Sequence, residues 1–317
     1  MASKYPNGFK HGLSVRGVPL VQTHAGHVFW VSNSSVVDSN QATGSDSNDG
    51  TFDRPFATLD YAVGQCTANR GDVIFVKPKH AETYSAASAL ALDVAGIAII
   101  GLGNGDLRPT FTLDTVDTTQ IVCSAANVSM QNMIFIANFL SIAQVVKLTT
   151  AKGFSFEMNE IRDTSAALNF LNVIKSTGAA NTVDRLYVAD NFYGSIGTTF
   201  NTLVLTANDI DNLQVHRNTV LSINTTDQAS LVVVTAGVLT NGFMSYNVSK
   251  RKNTTTSYAM VNVGGTTSSV IMFYNFASAL DGTNNINWVT TTGLVGVGNT
   301  YSGAIAGQGF VIPALDS

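Results

Sequence analysis

The chain has 317 residues, of which 45% are hydrophobic and only 12% are charged, and its formal net charge is −4. The charged fraction is about half of the usual one, so Thr, Ser, Asn and Gly must cover much of the surface, as is typical of a β-rich protein and not of a helical regulator. The weakly acidic balance, with Lys250 to Lys252 as the only basic cluster, also excludes the charge pattern of a nucleic-acid-binding protein.

The sequence carries no signal for a membrane or for secretion. No apolar run reaches the roughly 18 residues that a membrane span needs, and Met1 to Lys10 lacks the apolar core of a signal peptide. We therefore expect a protein made in the cytoplasm, without a membrane partner. Cys66 and Cys123 fit buried positions, and a disulfide between them stays open; no metal site or other cofactor is predicted.

Residues 1–44 are predicted to form an extended N-terminal arm. Turn signals at Pro6 to Gly8 and at Gly17 to Pro19 interrupt this segment, so it cannot bury a core of its own. Its apolar side chains must pack either on the same chain or on a neighbour, and we expect an attachment role. The residues expected to make this attachment are Tyr5, Pro6, Phe9, Arg16, Val18, Pro19, Phe29 and Trp30.

Residues 45–70 are predicted to be a loop followed by a capping helix. Pro55 suits a first helical turn, and apolar residues recur after it on one face of an amphipathic helix of about three turns. That face consists of Phe56, Leu59, Ala62, Val63 and Cys66. The unbroken apolar run Val73 to Val76, closed by Pro78, then predicts a strand buried on both faces.

Residues 71–280 contain a repeat. Five strand-like segments each end in an asparagine, at steps of 32, 27, 29 and 28 residues, and Met133 holds the same place one unit earlier. A period of this size, built from strand-like units, is typical of a solenoid. We predict that the asparagines adopt left-handed geometry at a corner and that their amides bond from coil to coil. This predicted asparagine ladder consists of Asn159, Asn191, Asn218, Asn247 and Asn275.

Apolar residues alternate within each repeat, which indicates strands with one face turned inward. Before the asparagines the inward pairs are Phe154 and Phe156, Leu186 and Val188, Leu213 and Val215, and Val270 and Met272. A second strand is predicted with inward pairs at Val146 and Leu148, Leu203 and Leu205, Val232 and Val234, and Val261 and Val263. Residues 281–317 are expected to form a terminal coil and a glycine-rich tail.

The segment from Pro55 to Pro78 resembles the start of right-handed parallel β-helix proteins of the pectate-lyase-like type. The resemblance implies an all-β, right-handed parallel β-helix whose first coil is covered by the helix. Lys79 departs from the pattern, because that family usually has glycine there. The matching residues are Pro55, Phe56, Thr58, Leu59, Ala62, Val63, Gly71, Asp72, Ile74, Val76 and Pro78.

The arm is similar to the opening of many bacteriophage structural proteins in which such a segment precedes a β-helix. The resemblance lies in Pro6 to Gly8 and Arg16 to Pro19. It implies a virion protein, and we expect a homotrimeric capsid decoration or cement protein on the capsid surface. Its expected partner is the major capsid protein or another virion protein.

Two short motifs suggest ligands but fit structural turns better. Asp46 to Gly50 looks like the start of a calcium loop, but the twelfth position, which should be glutamate, is Ala57. The glycine-rich stretch Gly101 to Asp106 follows a strand, yet a strand signal and not a helix comes after it. We therefore predict turns at both places.

Our prediction leans against an enzyme, although carboxylates on adjacent coils leave glycoside hydrolysis open. If a site exists, Glu160 and Asp190 are the predicted acid and base pair. The other polar residues expected near it are Glu157, Asp163, Asp184, His216 and Arg217.

The alternative function is a tail-associated receptor-binding spike, with or without polysaccharide depolymerase activity. A host surface glycan is then a candidate partner, and aromatic side chains near the strand corners would contact it. A cell-surface adhesin is a third class. The candidate aromatic residues are Tyr187, Tyr193, Tyr246, Phe273 and Tyr274.

Overall fold

A computed structural model describes residues 14–15, 18–19, 26–34, 41–197, 200–222, 231–251, 258–265, 269–279, 286–289 and 294–302. Within these residues the chain forms three long sheets, of ten, nine and eight strands, in which all neighbouring strands are parallel. From β4 onward each coil adds one strand to sheet A, one to sheet B and one to sheet C, in that order. The predicted parallel β-helix is confirmed.

The strands are numbered along the chain. Sheet A consists of β3 (Val28–Val31), β4 (Val73–Val76), β7 (Ala98–Gly101), β10 (Ser129–Gln131), β13 (Ser155–Glu157), β16 (Tyr187–Ala189), β20 (Gln214–His216), β24 (Gly242–Ser245), β27 (Val270–Phe273) and β30 (Leu294–Val297). Sheet B consists of β5 (Ala81–Tyr84), β8 (Thr110–Leu113), β11 (Ile134–Ala137), β14 (Glu160–Asp163), β17 (Phe192–Ser195), β21 (Thr219–Ser222), β25 (Val248–Arg251), β28 (Phe276–Ala279) and β31 (Thr300–Ser302).

Sheet C consists of β6 (Leu90–Leu92), β9 (Ile121–Cys123), β12 (Val146–Leu148), β15 (Asn172–Ser176), β18 (Thr202–Thr206), β22 (Val232–Val234), β26 (Tyr258–Val263) and β29 (Ile286–Val289). Two minor pairs complete the strands: antiparallel β1 (Ser14–Val15) with β2 (Val18–Pro19), and parallel β19 (Ile210–Asp211) with β23 (Leu239–Thr240). The helical elements are α1 (Leu59–Gly64) and a 3₁₀ turn at Gly105–Leu107, which makes the glycine-rich stretch a corner.

The core is a stack of apolar side chains that repeat at the same strand position from coil to coil. In sheet A the column Phe156, Val188, Val215, Met244 and Met272 is in register and fully buried. This arrangement confirms the predicted inward residues of that strand.

In sheet C the prediction is wrong at Leu205 of β18. Leu203 is fully buried in the core as predicted, but Val204 is the residue that pairs with Ile174 and Val232 of the adjacent coils. Thr206 follows it in the inward register, so Leu205 is turned the other way.

The capping helix is shorter than predicted. Helix α1 has six residues, with Leu59, Ala62 and Val63 buried, and Thr58 is its N-cap. Phe56 lies outside the helix and instead forms a bridge with Val31 of β3. The helix contacts strands of sheets A and C near the first coil, as a cap should.

Strand β3 closes the first coil from the N-terminal side, because it pairs in parallel with β4 along its whole length. Trp30 packs on Phe75 with ring centroids 5.0 Å apart, and Phe29 lies 5.8 Å from Phe56. The end of the predicted arm therefore packs within its own chain.

A buried carboxylate ties this strand to the turn after the helix. Asp72 accepts hydrogen bonds from the backbone amides of His27 and Thr67, and both of its oxygens pair with Arg70 at 2.7 Å. Burial alone would raise the pKa of Asp72, but these donors outweigh burial and lower the pKa from its ordinary value. The carboxylate is therefore held ionised, with its charge fully partnered.

The two cysteines are free thiols, so the disulfide that the sequence left undecided is not formed. Cys123 lies in the core, and burial raises the pKa of each thiol to about 12. Both therefore act as small apolar residues. Among the residues that the structure describes, no helix is long and apolar enough to cross a membrane.

The asparagine ladder is present and is buried. The Oδ1 atom of each asparagine from Asn191 to Asn275 accepts a hydrogen bond from the backbone amide of the ladder asparagine one coil before, at 3.0–3.1 Å. Met133 occupies the first rung as predicted, since its amide donates to Asn159 at 3.0 Å. Asn299, which the prediction missed, is the last described rung and accepts from Asn275 at 3.0 Å.

Each ladder amide also donates to the strand that runs before the corner. The Nδ2 atom of Asn218, for example, donates to the carbonyls of Val188 and His216 and to Oδ1 of Asn247, at 2.9–3.0 Å. A buried asparagine at this position is therefore saturated with partners, and no other side chain of its size supplies two N–H donors together with a carbonyl acceptor.

We predict that Val215→Asp abolishes folding, because an unpaired carboxylate would lie in the dry core between Val188 and Met244. Expression of soluble protein and far-UV circular dichroism measure the effect. Gln214→Asp is the matched control, since the neighbouring side chain points away from the core, and it should fold normally. A soluble, cooperatively folded Val215→Asp protein would contradict the register.

Asn218→Asp should destabilise the protein by about 3 kcal/mol, because a buried carboxylate would face three acceptor oxygens where an amide now donates. Urea-induced unfolding at neutral pH measures the loss. Asn181→Asp is the control at an exposed turn residue, and its effect should stay within about 0.5 kcal/mol. Equal effects of the two substitutions would argue against a structural role for the ladder.

Candidate functional site

The corner between sheets A and B carries a column of outward side chains, which we call the corner ridge. It consists of the residues that precede the ladder asparagines: Met158, Asp190, Arg217, Tyr246 and Tyr274. Their φ angles lie between 50° and 57°, in the left-handed region. We predicted left-handed geometry for the asparagine, but the residue before it has that geometry. The asparagine side chain is instead turned inward to bond between coils.

The corner ridge changes character along its length. Met158 is exposed. Asp190 follows it, and the two carboxylate oxygens of Asp190 accept hydrogen bonds of 2.7 Å from Arg217, the next residue of the ridge. Tyr246 and Tyr274 follow, stacked with ring centroids 5.4 Å apart and an interplanar angle of 19°. The ridge thus combines a closed ion pair with an exposed aromatic stack.

The predicted acid, Glu160, is enclosed by two arginines. Arg108 and Arg162 both bond to its carboxylate, and Arg162 also bonds to Asp106 at 2.7 Å. Burial would raise the pKa of Glu160, but these two guanidinium groups outweigh it and lower the pKa from its usual value. A general acid needs a raised pKa at neutral pH, so this environment does not suit that role.

The predicted base, Asp190, has the same kind of partner. It lies at the same corner, since Phe192, which follows it by two residues, pairs with Glu160 in sheet B. Its carboxylate is occupied by Arg217 on both oxygens. The structure therefore brings the two carboxylates to neighbouring coils but pairs Glu160 with two arginines and Asp190 with a third.

The remaining predicted polar residues have structural partners. Asp184 pairs with Lys152 at 2.9 Å, Glu157 accepts from Ser155, and Nδ1 of His216 lies 2.9 Å from the hydroxyl of Ser245. Each of these contacts lies within a strand or between coils.

Asp163 is the most heavily bonded carboxylate of this group. Its oxygens accept from the hydroxyls of Tyr193 and Ser195 at 2.8 Å and 3.0 Å. They also accept from the backbone amides of Phe170, Ile196 and Gly197. Burial raises its pKa. With these donors around it, the carboxylate organises the turn after β17 and has no position left for a substrate.

The five candidate glycan-contact residues do not form one surface. Tyr193 is fully buried, and Tyr187 lies beside His216 with ring centroids 5.7 Å apart. Phe273 packs against Phe243 at 5.7 Å. Only Tyr246 and Tyr274 are strongly exposed, and a single sequence cannot separate them from the other aromatics because all five lie near strand corners.

The loop that resembles a calcium site caps the helix instead. The carboxylate of Asp46 accepts hydrogen bonds from the backbone amides of Ala57 and Thr58 and from the hydroxyl of Thr58, at 2.9–3.0 Å. Across the described ranges, no group of three or more His, Cys, Asp or Glu residues could hold a metal ion.

The predicted attachment residues are placed only in part. Phe29 and Trp30 lie in β3, and Val18 and Pro19 form β2. Tyr5, Pro6, Phe9 and Arg16 lie outside the described residues.

Comparison with known proteins gives weak structural similarity only. The sequence matches no protein-family model and no curated protein. A rhamnogalacturonan lyase structure is 14% identical, with a TM-score of 0.47, over 80% of this chain and 68% of that chain. The GH136 lacto-N-biosidase from Eubacterium ramulus is 10% identical, with a TM-score of 0.27, over 87% of this chain and 67% of that chain.

A third structure, the DFA-IIIase from Arthrobacter chlorophenolicus A6, is 10% identical, with a TM-score of 0.25, over 75% of this chain and 77% of that chain. At these levels of similarity, the assignment of the fold depends on the strand pairing of the chain itself. That pairing identifies the chain as a parallel β-helix protein.

Proposed function

We propose that this chain is a structural protein of a bacteriophage virion: a homotrimeric decoration or cement protein on the exterior of the capsid that reinforces the head lattice. Its partner is the major capsid protein or another virion protein. The observation that carries the proposal is the resemblance of Pro6 to Gly8 and Arg16 to Pro19 to the opening of bacteriophage structural proteins, placed ahead of a β-helix.

The N-terminal end of the body supports a separate role for the segment before it. Strand β3 and helix α1 already cover the first coil, and Asp72 bonds to both the turn after α1 and His27. Trp30 of the end strand β3 bonds to Gly50 and Phe56, so described residues already cover this open edge of sheet A. The proposal therefore assigns residues 1–25 to attachment to another protein.

Two structural features of the body support the cement role. Buried asparagines fix the spacing of the coils on one corner, and apolar columns fill the interior. A rigid trimer that contacts several capsomers at once would bind the assembled lattice better than free subunits, so mass action would stabilise the lattice. Closed threefold symmetry also matches the local axes of a capsid.

The alternative, a receptor-binding spike with polysaccharide depolymerase activity, would need Glu160 or Asp190 to act as an acid or base. Each carboxylate is neutralised by arginine, and that arrangement suits a stable surface better than proton transfer. In a spike without such activity, Tyr246 and Tyr274 would be the exposed aromatic contacts for a host glycan.

We predict that the protein is found on the head of purified virions that carry it, and that a variant lacking residues 1–25 folds but does not bind undecorated heads. Immunogold labelling and co-sedimentation measure the two outcomes. The full-length chain is the positive control. A second variant lacking residues 1–34 removes β3 as well and should lose thermal stability, which separates attachment from folding.

Labelling at the tail would contradict the decoration role and favour the spike. Full decoration by the variant that lacks residues 1–25 would contradict attachment through that segment.

A further inference from the structure

A cavity of about 350 Å³ lies at the N-terminal end of the β-helix, where the first strands of sheet A end. Strand β3, the loop before α1, and the turns after β4 and β7 contribute its lining. Its volume falls within the range of about 300–1,000 Å³ that is typical of small-molecule sites. The lining includes Trp30, Phe52, Lys77, Lys79, Leu102 and Leu107.

The aromatic part of this lining is ordered by contacts within the chain. Trp30 and Phe52 meet edge to face, with ring centroids 4.9 Å apart and an interplanar angle of 88°. The backbone amide of Trp30 donates to the carbonyl of Gly50 at 2.8 Å, which fixes the loop that carries Phe52. Because the rings are already held in place, a ligand that packs on them loses little of its binding energy to ordering the site.

Lys77 brings a buried positive charge to the cavity. The residue is 6% exposed, and its ammonium donates a hydrogen bond to the backbone carbonyl of Phe52. Nζ lies 3.7 Å from the centre of the Phe52 ring and 5.7 Å from that of Trp30, which places it at the cavity wall. An ammonium has three N–H donors, so one carbonyl does not saturate it.

The charge of Lys77 has no closely bound carboxylate. None of the ion pairs that the described residues form includes Lys77. Asp53 is exposed and attracts the ammonium only enough to oppose burial in part, because burial lowers the pKa of Lys77 to about 8. Asp106, beside Leu107, pairs with Arg162 at 2.7 Å.

The lining therefore combines apolar walls with positive charge. Lys77 and the exposed Lys79 are its charged residues, and no carboxylate belongs to it among the residues that the structure describes. A buried charge in apolar surroundings is stabilised by a partner of opposite charge. The carboxylate of a ligand would be such a partner for Lys77.

We propose that this cavity binds a small organic carboxylate with a planar apolar body, of the size of an aromatic acid. The carboxylate accepts hydrogen bonds from Nζ of Lys77, Lys79 adds a second positive charge, and the planar body packs against Trp30, Phe52 and Leu107. The lysines select against an uncharged ligand, and the apolar walls select against a hydrated inorganic anion. This binding site does not depend on the proposed virion role.

Ligand-observed saturation-transfer NMR titrations of the full chain at neutral pH test the site, with benzoate as the probe. Benzamide has the same shape without the charge, and inorganic phosphate has the charge without the apolar body. Benzoate should bind in a saturable manner and at least tenfold more tightly than either comparator.

Two variants address the charge, each with a matched control. Lys77→Met keeps an unbranched apolar side chain in the cavity wall but removes the ammonium, and Leu107→Asp places a competing carboxylate at a residue that is 48% exposed. Each should weaken benzoate binding at least tenfold. Lys147→Met in β12 and Leu140→Asp, at a residue that is 55% exposed, lie outside the cavity lining and should leave binding unchanged. Thermal unfolding checks that every variant is folded.

Absence of saturable benzoate binding would overturn the proposal, as would equal binding of benzamide or phosphate. Unchanged affinity in a folded Lys77→Met or Leu107→Asp variant would also overturn it. Asp38 lies in the segment between Ser34 and Gln41, so Asp38→Asn tests whether the chain supplies the carboxylate itself. Benzoate binding that appears only in Asp38→Asn would assign the cavity to the chain's own carboxylate and contradict a ligand site. Head labelling tests the virion role separately from all of these results.

Discussion

A buried asparagine at the corner between sheets A and B sets the geometry of the coils from β13 onward. The strand ladders of the three sheets bond along the stack, but they alone do not specify where each corner turns. The amide of Asn218 does so, because it bonds to the coil before and to the coil after. The residue before each asparagine must then adopt left-handed geometry, and its side chain must point outward.

That constraint links the interior to the surface. Residues on the corner ridge stack at the coil spacing, so their identities alone decide what the corner presents: a closed ion pair at Asp190 and Arg217, then an aromatic stack at Tyr246 and Tyr274. Glu160 is paired in the same way, because two arginines bond to its carboxylate and neutralise its charge. The charged groups along this corner are therefore paired within the chain.

The parts of the fold that the sequence predicts are those with a short local signal. Alternating apolar residues and a recurring asparagine identify sheet A and five rungs of the ladder, because both signals repeat with each coil. The helix length could not be predicted, since the spacing of Phe56 fits the helix while its partner is Val31, a contact formed only in three dimensions. Leu203 to Leu205 allow two strand registers, and only Ile174 and Val232 select one. The partner of Glu160, Arg108, lies 52 positions away, beyond any local pattern.

Hydrogen exchange at the ladder tests the central claim most directly, namely that buried asparagines hold the coils in register. Backbone amides of Asn159, Asn191, Asn218, Asn247 and Asn275 each donate to the next rung at 3.0–3.1 Å. The account predicts that all five exchange only through global unfolding, with the same protection as the amides of the core strands. Exchange of these amides at the rate of exposed loop amides, while the core strands stay protected, would contradict it.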